Sequence, residues 1–153
     1  MSVAIVVANV ALVLALEAGV AAPAPGAGGA PKAEILGLWK GTSTCTKVEG
    51  NEFCRDETIV YNFIEVQGQP ATVSLKAARI VDGVVIRAFN LYVTYRPEKG
   101  QWTGEFDRDG GRAVWAYVVS GDALTGTGML LPDLTIVRNV TAMRTTKDQV
   151  PAR

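Results

Sequence analysis

From Ile35 onward, the chain alternates between short runs of β-favouring residues and turn signals. Within these runs bulky apolar residues tend to occupy every second position, as Ile59, Tyr61 and Phe63 do, and this is the period of a strand with one buried face. No segment shows a convincing helical period. The pattern predicts eight strands, with these bounds: Leu36–Thr46, Glu57–Val66, Ala71–Val81, Val84–Arg96, Gln101–Phe106, Arg112–Val119, Ala123–Leu130 and Leu134–Arg144.

The connections between the predicted strands are short, which favours antiparallel neighbours. Asp82-Gly83 is the strongest hairpin signal, and Pro97–Gly100 reads as another tight turn. A meander of eight strands leaves two exposed edges unless it closes. We therefore predict an all-β fold, an eight-stranded antiparallel up-and-down barrel whose seam joins Leu36–Thr46 to Leu134–Arg144. A two-sheet sandwich of the same strands is the alternative.

The alternation also predicts which side chains face the interior of the barrel. The predicted interior set comprises Trp39, Ile59, Tyr61, Phe63, Phe89, Leu91, Val93, Tyr95, Trp102, Phe106, Trp115, Tyr117 and Val119. The opposite face of one strand is apolar as well, since it carries Val114, Ala116 and Val118. This second face predicts a covering segment or a homodimer contact, with ordinary scattered apolar surface as the alternative.

The residues before the barrel have a different composition. Val3–Leu16 is an apolar run interrupted only by Asn9, and small residues and a Pro/Gly/Ala tract follow it. This pattern predicts a signal peptide over residues 1–22, a flexible linker over 23–34, the barrel domain over 35–145 and a disordered tail over 146–153. The alternatives are an uncleaved anchor and a mis-assigned start. The expected location is periplasmic or secreted, with no integral membrane domain after cleavage.

The two cysteines support export. Cys45 and Cys54 are the only cysteines in the chain and lie close together in sequence. In an exported protein such a pair is most simply a disulfide, whose short ring contributes about 2–3 kcal/mol to stability. Two free thiols in a cytosolic protein are the alternative.

Charge and composition exclude several classes of function. Fifteen basic residues balance fifteen acidic ones and are scattered along the chain, which argues against a nucleic-acid partner. The sequence contains no histidine, so the usual general base, zinc ligand and Ser-His-Asp schemes are absent. Asp107–Gly111 faintly resembles a calcium loop, but Val118 stands where the last acidic ligand is required. We predict a non-enzymatic protein without catalytic residues, metal or cofactor.

The opening strand carries the residues of a family resemblance. Gly37-Leu38-Trp39 at its head, eight meandering strands and an arginine near the end of the last strand resemble the calycins, specifically lipocalin-like barrels. The chain also looks like small exported bacterial proteins of this shape. The resemblance implies that Trp39 packs at the closed end of the barrel beneath a basic side chain. Arg144 is the first choice for that side chain and Arg138 is the second.

Two arginines are candidates for ligand contacts. Arg87 shares strand parity with Phe89, and Arg138 shares it with Leu134 and Ile136. A cation inside an apolar barrel needs an anionic partner, which a ligand carboxylate could supply. The alternative is that each arginine lies near a strand end and extends to water.

Two functions follow from this reading. The first is a barrel that binds a small, mostly apolar ligand in its interior. The predicted ligand-binding residues are Tyr61, Phe89, Tyr95, Trp115, Tyr117, Arg87 and Arg138. The second is a barrel filled by its own side chains, which acts through its outer surface as an envelope, inhibitor or assembly module.

Overall fold

The structure, a computed structural model, describes residues 31–49, 54–108 and 111–148. Within these residues a short helix precedes eight strands, with these bounds: α1 (Lys32–Ile35), β1 (Gly37–Cys45), β2 (Glu57–Glu65), β3 (Thr72–Val81), β4 (Val84–Arg96), β5 (Gln101–Arg108), β6 (Gly111–Ser120), β7 (Ala123–Leu130) and β8 (Thr135–Thr146). Each strand pairs antiparallel with the next, and β8 pairs with β1 to close the barrel. The predicted eight-stranded barrel is confirmed, and the sandwich alternative is wrong.

Several predictions fall partly or wholly on residues outside this description. The predicted signal peptide, most of the predicted linker and the last residues of the tail lie outside the described residues. In the described part of the chain, no helix has both the length and the apolar character needed to cross a membrane. The predicted disulfide between Cys45 and Cys54 is confirmed.

One β-bulge lies in β4. Ala77 of β3 pairs with Phe89, and the next residue, Ala78, pairs with Arg87, so Ala88 has no partner across the ladder. An extra residue of this kind resets the alternation of side chains along the strand. Strand parity alone therefore does not relate the face of Arg87 to that of Phe89, although both residues line the pocket at this end of the barrel.

A second bulge lies in β8. Gly128 of β7 pairs with Arg138, whereas Met129 pairs with Ile136, and Val137 is the extra residue. Ile136 is exposed on the outer face, while Arg138 lines the interior. The sequence prediction that these two side chains share one face is therefore wrong, for the same physical reason.

Aromatic rings fill the lower part of the barrel. Tyr61, Phe63 and Tyr117 are fully or almost fully buried and meet edge to face, with ring centroids 5.6–6.3 Å apart. Edge-to-face pairs add to the free energy of burying the rings. Trp39 and Trp102 complete this buried set. The side-chain alternation of the sequence predicted these rings to be interior.

Two glycines of β7 make room for the rings. Gly126 pairs with Tyr117 and Gly128 pairs with Trp115. A Cβ atom at Gly126 would lie 2.6 Å from Cδ1 of Tyr117, and one at Gly128 would lie 3.0 Å from Cη2 of Trp115. The aromatic side chains can therefore lie against the backbone of β7 only because that strand has no side chains at these positions.

The helix α1 closes one end of the barrel. Ile35 is fully buried in the core, and its carbonyl oxygen accepts a 2.8 Å hydrogen bond from Nε1 of Trp39. The ammonium group of Lys32 donates to the carboxylate of Glu65 and to the carbonyl oxygen of Gln69, each at 3.0 Å. These contacts attach the helix to β2 and to the loop that follows it.

Arg144 completes the closed end. Its guanidinium lies 4.1 Å from the centroid of the Trp39 ring. It donates hydrogen bonds to the carbonyl oxygens of Leu36 and Glu34. It also forms an ion pair with Asp122, with the two atoms 2.9 Å apart. The resemblance to lipocalin-like barrels implied a basic side chain over Trp39, and the structure has Arg144 in that position.

Candidate ligand-binding site

The opposite end of the barrel contains a cavity of about 420 Å³. Its apolar wall comes from the middle of β2, the bulged part of β4, the second half of β5 and the first half of β6. The main apolar lining residues are Ile59, Tyr61, Phe89, Phe106, Ala113 and Trp115. The volume falls within the range of about 300–1,000 Å³ that is typical of small-molecule sites.

Stacked rings form the floor and one wall of the cavity. Phe89 lies 5.5 Å from Trp115 at an interplanar angle of 27°, and Trp115 lies 6.2 Å from Tyr117 at 7°. Tyr117 is fully buried and does not line the cavity. Tyr95 also lies away from the cavity, where its ring packs 5.3 Å from that of Trp102. Thus Tyr61, Phe89 and Trp115 are the predicted aromatic ligand contacts that line the space.

Phe89 and Phe106 also bridge a weakly paired part of the wall. β4 and β5 pair only from Thr94↔Thr103 to Arg96↔Gln101. Nearer the mouth the two strands are joined through side chains, with the Phe89 and Phe106 rings 5.0 Å apart. The wall at this point therefore depends on ring packing more than on backbone hydrogen bonds.

A carboxylate held between two arginines forms the polar side of the cavity. Oε1 of Glu57 lies 2.9 Å from Nη1 of Arg79, and Oε2 lies 3.3 Å from Nη1 of Arg138. Both carboxylate oxygens are thus engaged by cations, so Glu57 acts as a fixed counter-ion. The arrangement also links β2, β3 and β8 across the cavity.

The guanidinium of Arg138 is fixed by further contacts near the disulfide. Its Nη1 donates a 3.0 Å hydrogen bond to the buried hydroxyl of Ser43, and its Nη2 donates one of 3.2 Å to the carbonyl oxygen of Arg55. Asp56 accepts a 2.8 Å hydrogen bond from the backbone N–H of Cys45. Ser43 and the backbone of Arg55, which follows Cys54 of the disulfide, thus hold the guanidinium at the edge of the cavity.

Arg87 differs from the other two arginines of the cavity. It lines the cavity and is exposed. Among the residues that the structure describes, no carboxylate forms an ion pair with it. The cavity therefore has one guanidinium that no carboxylate of the described residues compensates.

The phenols beneath the cavity are neutral over the physiological range. Burial raises the pKa of both Tyr61 and Tyr117 well above the usual value, and burial is the largest cause for each. The two hydroxyls are close enough to interact electrostatically, and their interaction raises the pKa of Tyr117 further. Among the described residues, the buried Tyr117 hydroxyl has no hydrogen-bond partner.

Sequence reasoning missed two charged residues of the site. The sequence analysis gave neither Glu57 nor Arg79 a role in the site. Glu57 shares strand parity with Ile59 and Tyr61, and Arg79 shares it with Ala77. This shared parity could have indicated that both side chains face the interior. Predicting that Glu57 pairs with Arg79 would also have required the register of β2 against β3.

The described residues contain no group of three or more His, Cys, Asp or Glu side chains that could hold a metal ion. The chain matches no protein-family model and has no significant match among curated proteins. The fold and the cavity are therefore the basis for assigning a function.

Proposed function

We propose that this chain is an exported, non-enzymatic barrel of the lipocalin-like type that binds a small, mostly apolar ligand in the cavity at its open end. The observation that carries the proposal is the cavity itself, about 420 Å³ in volume with a wall of Ile59, Phe89, Phe106 and Trp115. Burying apolar ligand surface against such a wall contributes about 25 cal/mol per Å².

The division of the barrel into a filled and an open half supports a binding role. The rings of Tyr61, Phe63 and Tyr117 pack against one another below the cavity, so the fold does not need a ligand to complete its core. The apolar surface above them is left open to solvent at a mouth edged by arginines. An exposed apolar concavity with a few polar groups is the usual form of a small-molecule site.

The chemistry of the lining favours binding over catalysis. Glu57 has both oxygens paired with arginines, so it is poorly suited to act as a base. The raised pKa of Tyr61 keeps its phenol protonated at neutral pH. Arginine remains protonated in proteins and is not a general base. The sequence supplies no histidine to replace these groups.

Export is supported by the disulfide between Cys45 and Cys54, since disulfides persist mainly in oxidising compartments. We extend this to a periplasmic or secreted location. The test is to express the full chain in its host and compare the mass and the thiol content of the protein in each cell fraction. A reduced, full-length protein confined to the cytosol would contradict the extension.

The binding proposal is tested with Nile red, a neutral dye that fluoresces in apolar surroundings. We expect saturable binding to the wild-type barrel and at least about tenfold weaker binding to Ala113→Phe, whose ring would occupy the cavity. Met143→Phe, on the exposed outer face, is the matched control and should bind as the wild type does. Absence of binding, or equal binding by Ala113→Phe, would refute the proposal.

A second candidate function uses the outer face of β6. A groove of about 340 Å³ crosses this face, and Ala116 and Val118 line it. Val118 is 39% exposed, and we propose that a second copy of the chain covers it together with Val114. Sedimentation velocity should then show a dimer that Val118→Lys disrupts and Met143→Lys does not. A monomer at all concentrations would exclude this candidate.

A further inference from the structure

We infer that the ligand of this cavity is an organic anion, an apolar body carrying one carboxylate, and that Arg87 binds the carboxylate at the mouth with Arg138 beside it. The inference rests on the proposed function, since it names the chemical class of ligand for the same cavity. It is carried by the charges and contacts of the lining side chains.

The charges that line the cavity do not balance. Three arginines, Arg79, Arg87 and Arg138, line the cavity together with one carboxylate residue, Glu57. Glu57 is shared between Arg79 and Arg138, at 2.9 and 3.3 Å. A site with this excess of positive charge attracts anions and repels organic cations, because the charges lie beside a low-dielectric wall.

Arg87 is the cation available to a ligand. Among the described residues it has no carboxylate partner, in contrast to Arg79 and Arg138, which share Glu57. It lies at the mouth of the cavity beside the β4 bulge, next to Ala88. A guanidinium presents a planar pair of donors that matches the two oxygens of a carboxylate.

The layout of the cavity sets the orientation of the ligand. Apolar groups, including Phe89 and Trp115, lie on the inner side, and the arginines lie at the rim. An amphipathic anion therefore enters with its apolar body first and leaves its carboxylate at the rim. In this orientation the anion remains partly solvated, which avoids the cost of burying a charge without full compensation.

The pairing of the arginines favours a monoanion. Among the described residues of the lining, Arg87 is the cation without a carboxylate partner, whereas Arg138 is already bonded to other groups, including Ser43 and Glu57. A single carboxylate can accept from Arg87 and make a second contact with Arg138 without displacing Glu57. A phosphate dianion would need a second free cation, which the described lining does not supply.

The test compares two ligands with the same carbon skeleton, α-naphthaleneacetate and α-naphthaleneethanol, by displacement of Nile red from the whole protein. We expect the wild type to bind the carboxylate about tenfold more tightly than the alcohol. Arg87→Gln should remove this preference and leave the affinity for the alcohol unchanged, and Arg87→Lys should restore part of it. Arg96→Gln, an exposed arginine at the other end of β4, is the control and should behave as the wild type.

The outcomes separate this inference from the proposed function. If the acid and the alcohol bind equally, or if Arg87→Gln weakens both to the same extent, the inference is overturned while the cavity remains a binding site. If Nile red itself does not bind, the proposed function fails and the inference fails with it. Thermal unfolding of each variant checks that the exposed substitutions leave the fold intact.

Discussion

The guanidinium of Arg144 lies 4.1 Å from the centroid of the Trp39 ring, and the two residues face each other in the register of β1 and β8. The contact between Arg144 and Trp39 therefore lies on the seam that closes the barrel. The same guanidinium donates to the carbonyl oxygens of Leu36 and Glu34, which belong to the segment around α1. Arg144 thus joins the last strand, the first strand and the helix at the closed end.

Removing this guanidinium should destabilise the barrel strongly. We expect Arg144→Ala to lower the free energy of unfolding by about 3 kcal/mol, because the carbonyl oxygens of Leu36 and Glu34 lose their donor and the indole loses a cation–π contact. Urea unfolding followed by tryptophan fluorescence measures the change.

The control for this prediction is Arg112→Ala. Arg112 forms an exposed ion pair with Glu105 on the outer surface, and such pairs contribute less than about 1 kcal/mol. If both substitutions cost the same, Arg144 would be an ordinary surface arginine and its role at the closed end would be wrong.

Alanine substitutions at Gly126 and Gly128 of β7 should lower the free energy of unfolding by different amounts. We expect Gly126→Ala to cost about 1–3 kcal/mol, because its Cβ would lie 2.6 Å from Cδ1 of Tyr117. Gly128→Ala should cost less, since its Cβ would lie 3.0 Å from Trp115. Both changes restrict the unfolded chain similarly, so the difference in unfolding free energy reports the steric clash. An equal cost at both positions would contradict this account.

The disulfide should contribute stability through the unfolded chain. Replacing Cys45 and Cys54 together by serine should lower the free energy of unfolding by about 2–3 kcal/mol. A reducing agent should lower the Tm of the wild type and leave that of the double variant unchanged. A double variant as stable as the oxidised wild type would show that the covalent link adds no net stability.

Alkaline pH should weaken the fold through the buried phenols. The folded-state pKa values of Tyr61 and Tyr117 are raised above that of an unfolded tyrosine. The unfolded chain releases these protons near pH 10 while the folded chain retains them. Stability is therefore constant below about pH 9 and falls as the pH rises above about 10, by about 1.4 kcal/mol per pH unit for each phenol.

Unfolding free energies measured from about pH 8 to about pH 11 test this dependence. Tyr117→Phe should fall less steeply than the wild type, because it removes one of the two phenols. Tyr92→Phe is the control, since Tyr92 is 68% exposed on the outer face, and it should keep the slope of the wild type. A wild-type stability that does not change across this range would contradict the prediction.

Removing the internal counter-ion should strengthen anion binding. Glu57→Gln frees Arg79 and Arg138 from their shared carboxylate, so we expect about tenfold tighter binding of α-naphthaleneacetate. The affinity for α-naphthaleneethanol should not change. Glu105→Gln on the outer surface is the control, and an unchanged affinity for the acid in Glu57→Gln would argue against the anion site.

The strands and their closure were predictable from sequence because the alternation of apolar residues is regular over most of the barrel. Asp82-Gly83 forms the predicted hairpin turn, with positive φ at both residues. The bulges at Ala88 and Val137 were not predictable, since the position of an extra residue depends on how two strands align along their ladder.

The candidate site was predictable in its apolar half and not in its polar half. Tyr61, Phe89 and Trp115 follow from alternation alone. The pairing of Glu57 with two arginines depends on registers that bring residues 22 and 81 positions apart within ion-pair distance. Local sequence patterns contain no such information, because the partners belong to different strands.

The side chains that close one end of the barrel and the side chains that line the cavity lie at opposite ends of the fold. Trp39 and Arg144 belong to the first group, and Phe89 and Arg87 belong to the second. Several substitutions at the mouth can therefore be combined without removing the contacts that stabilise the closed end. This separation makes the protein a convenient scaffold for engineering, in which a library of altered mouths could be selected for new small-molecule sensors.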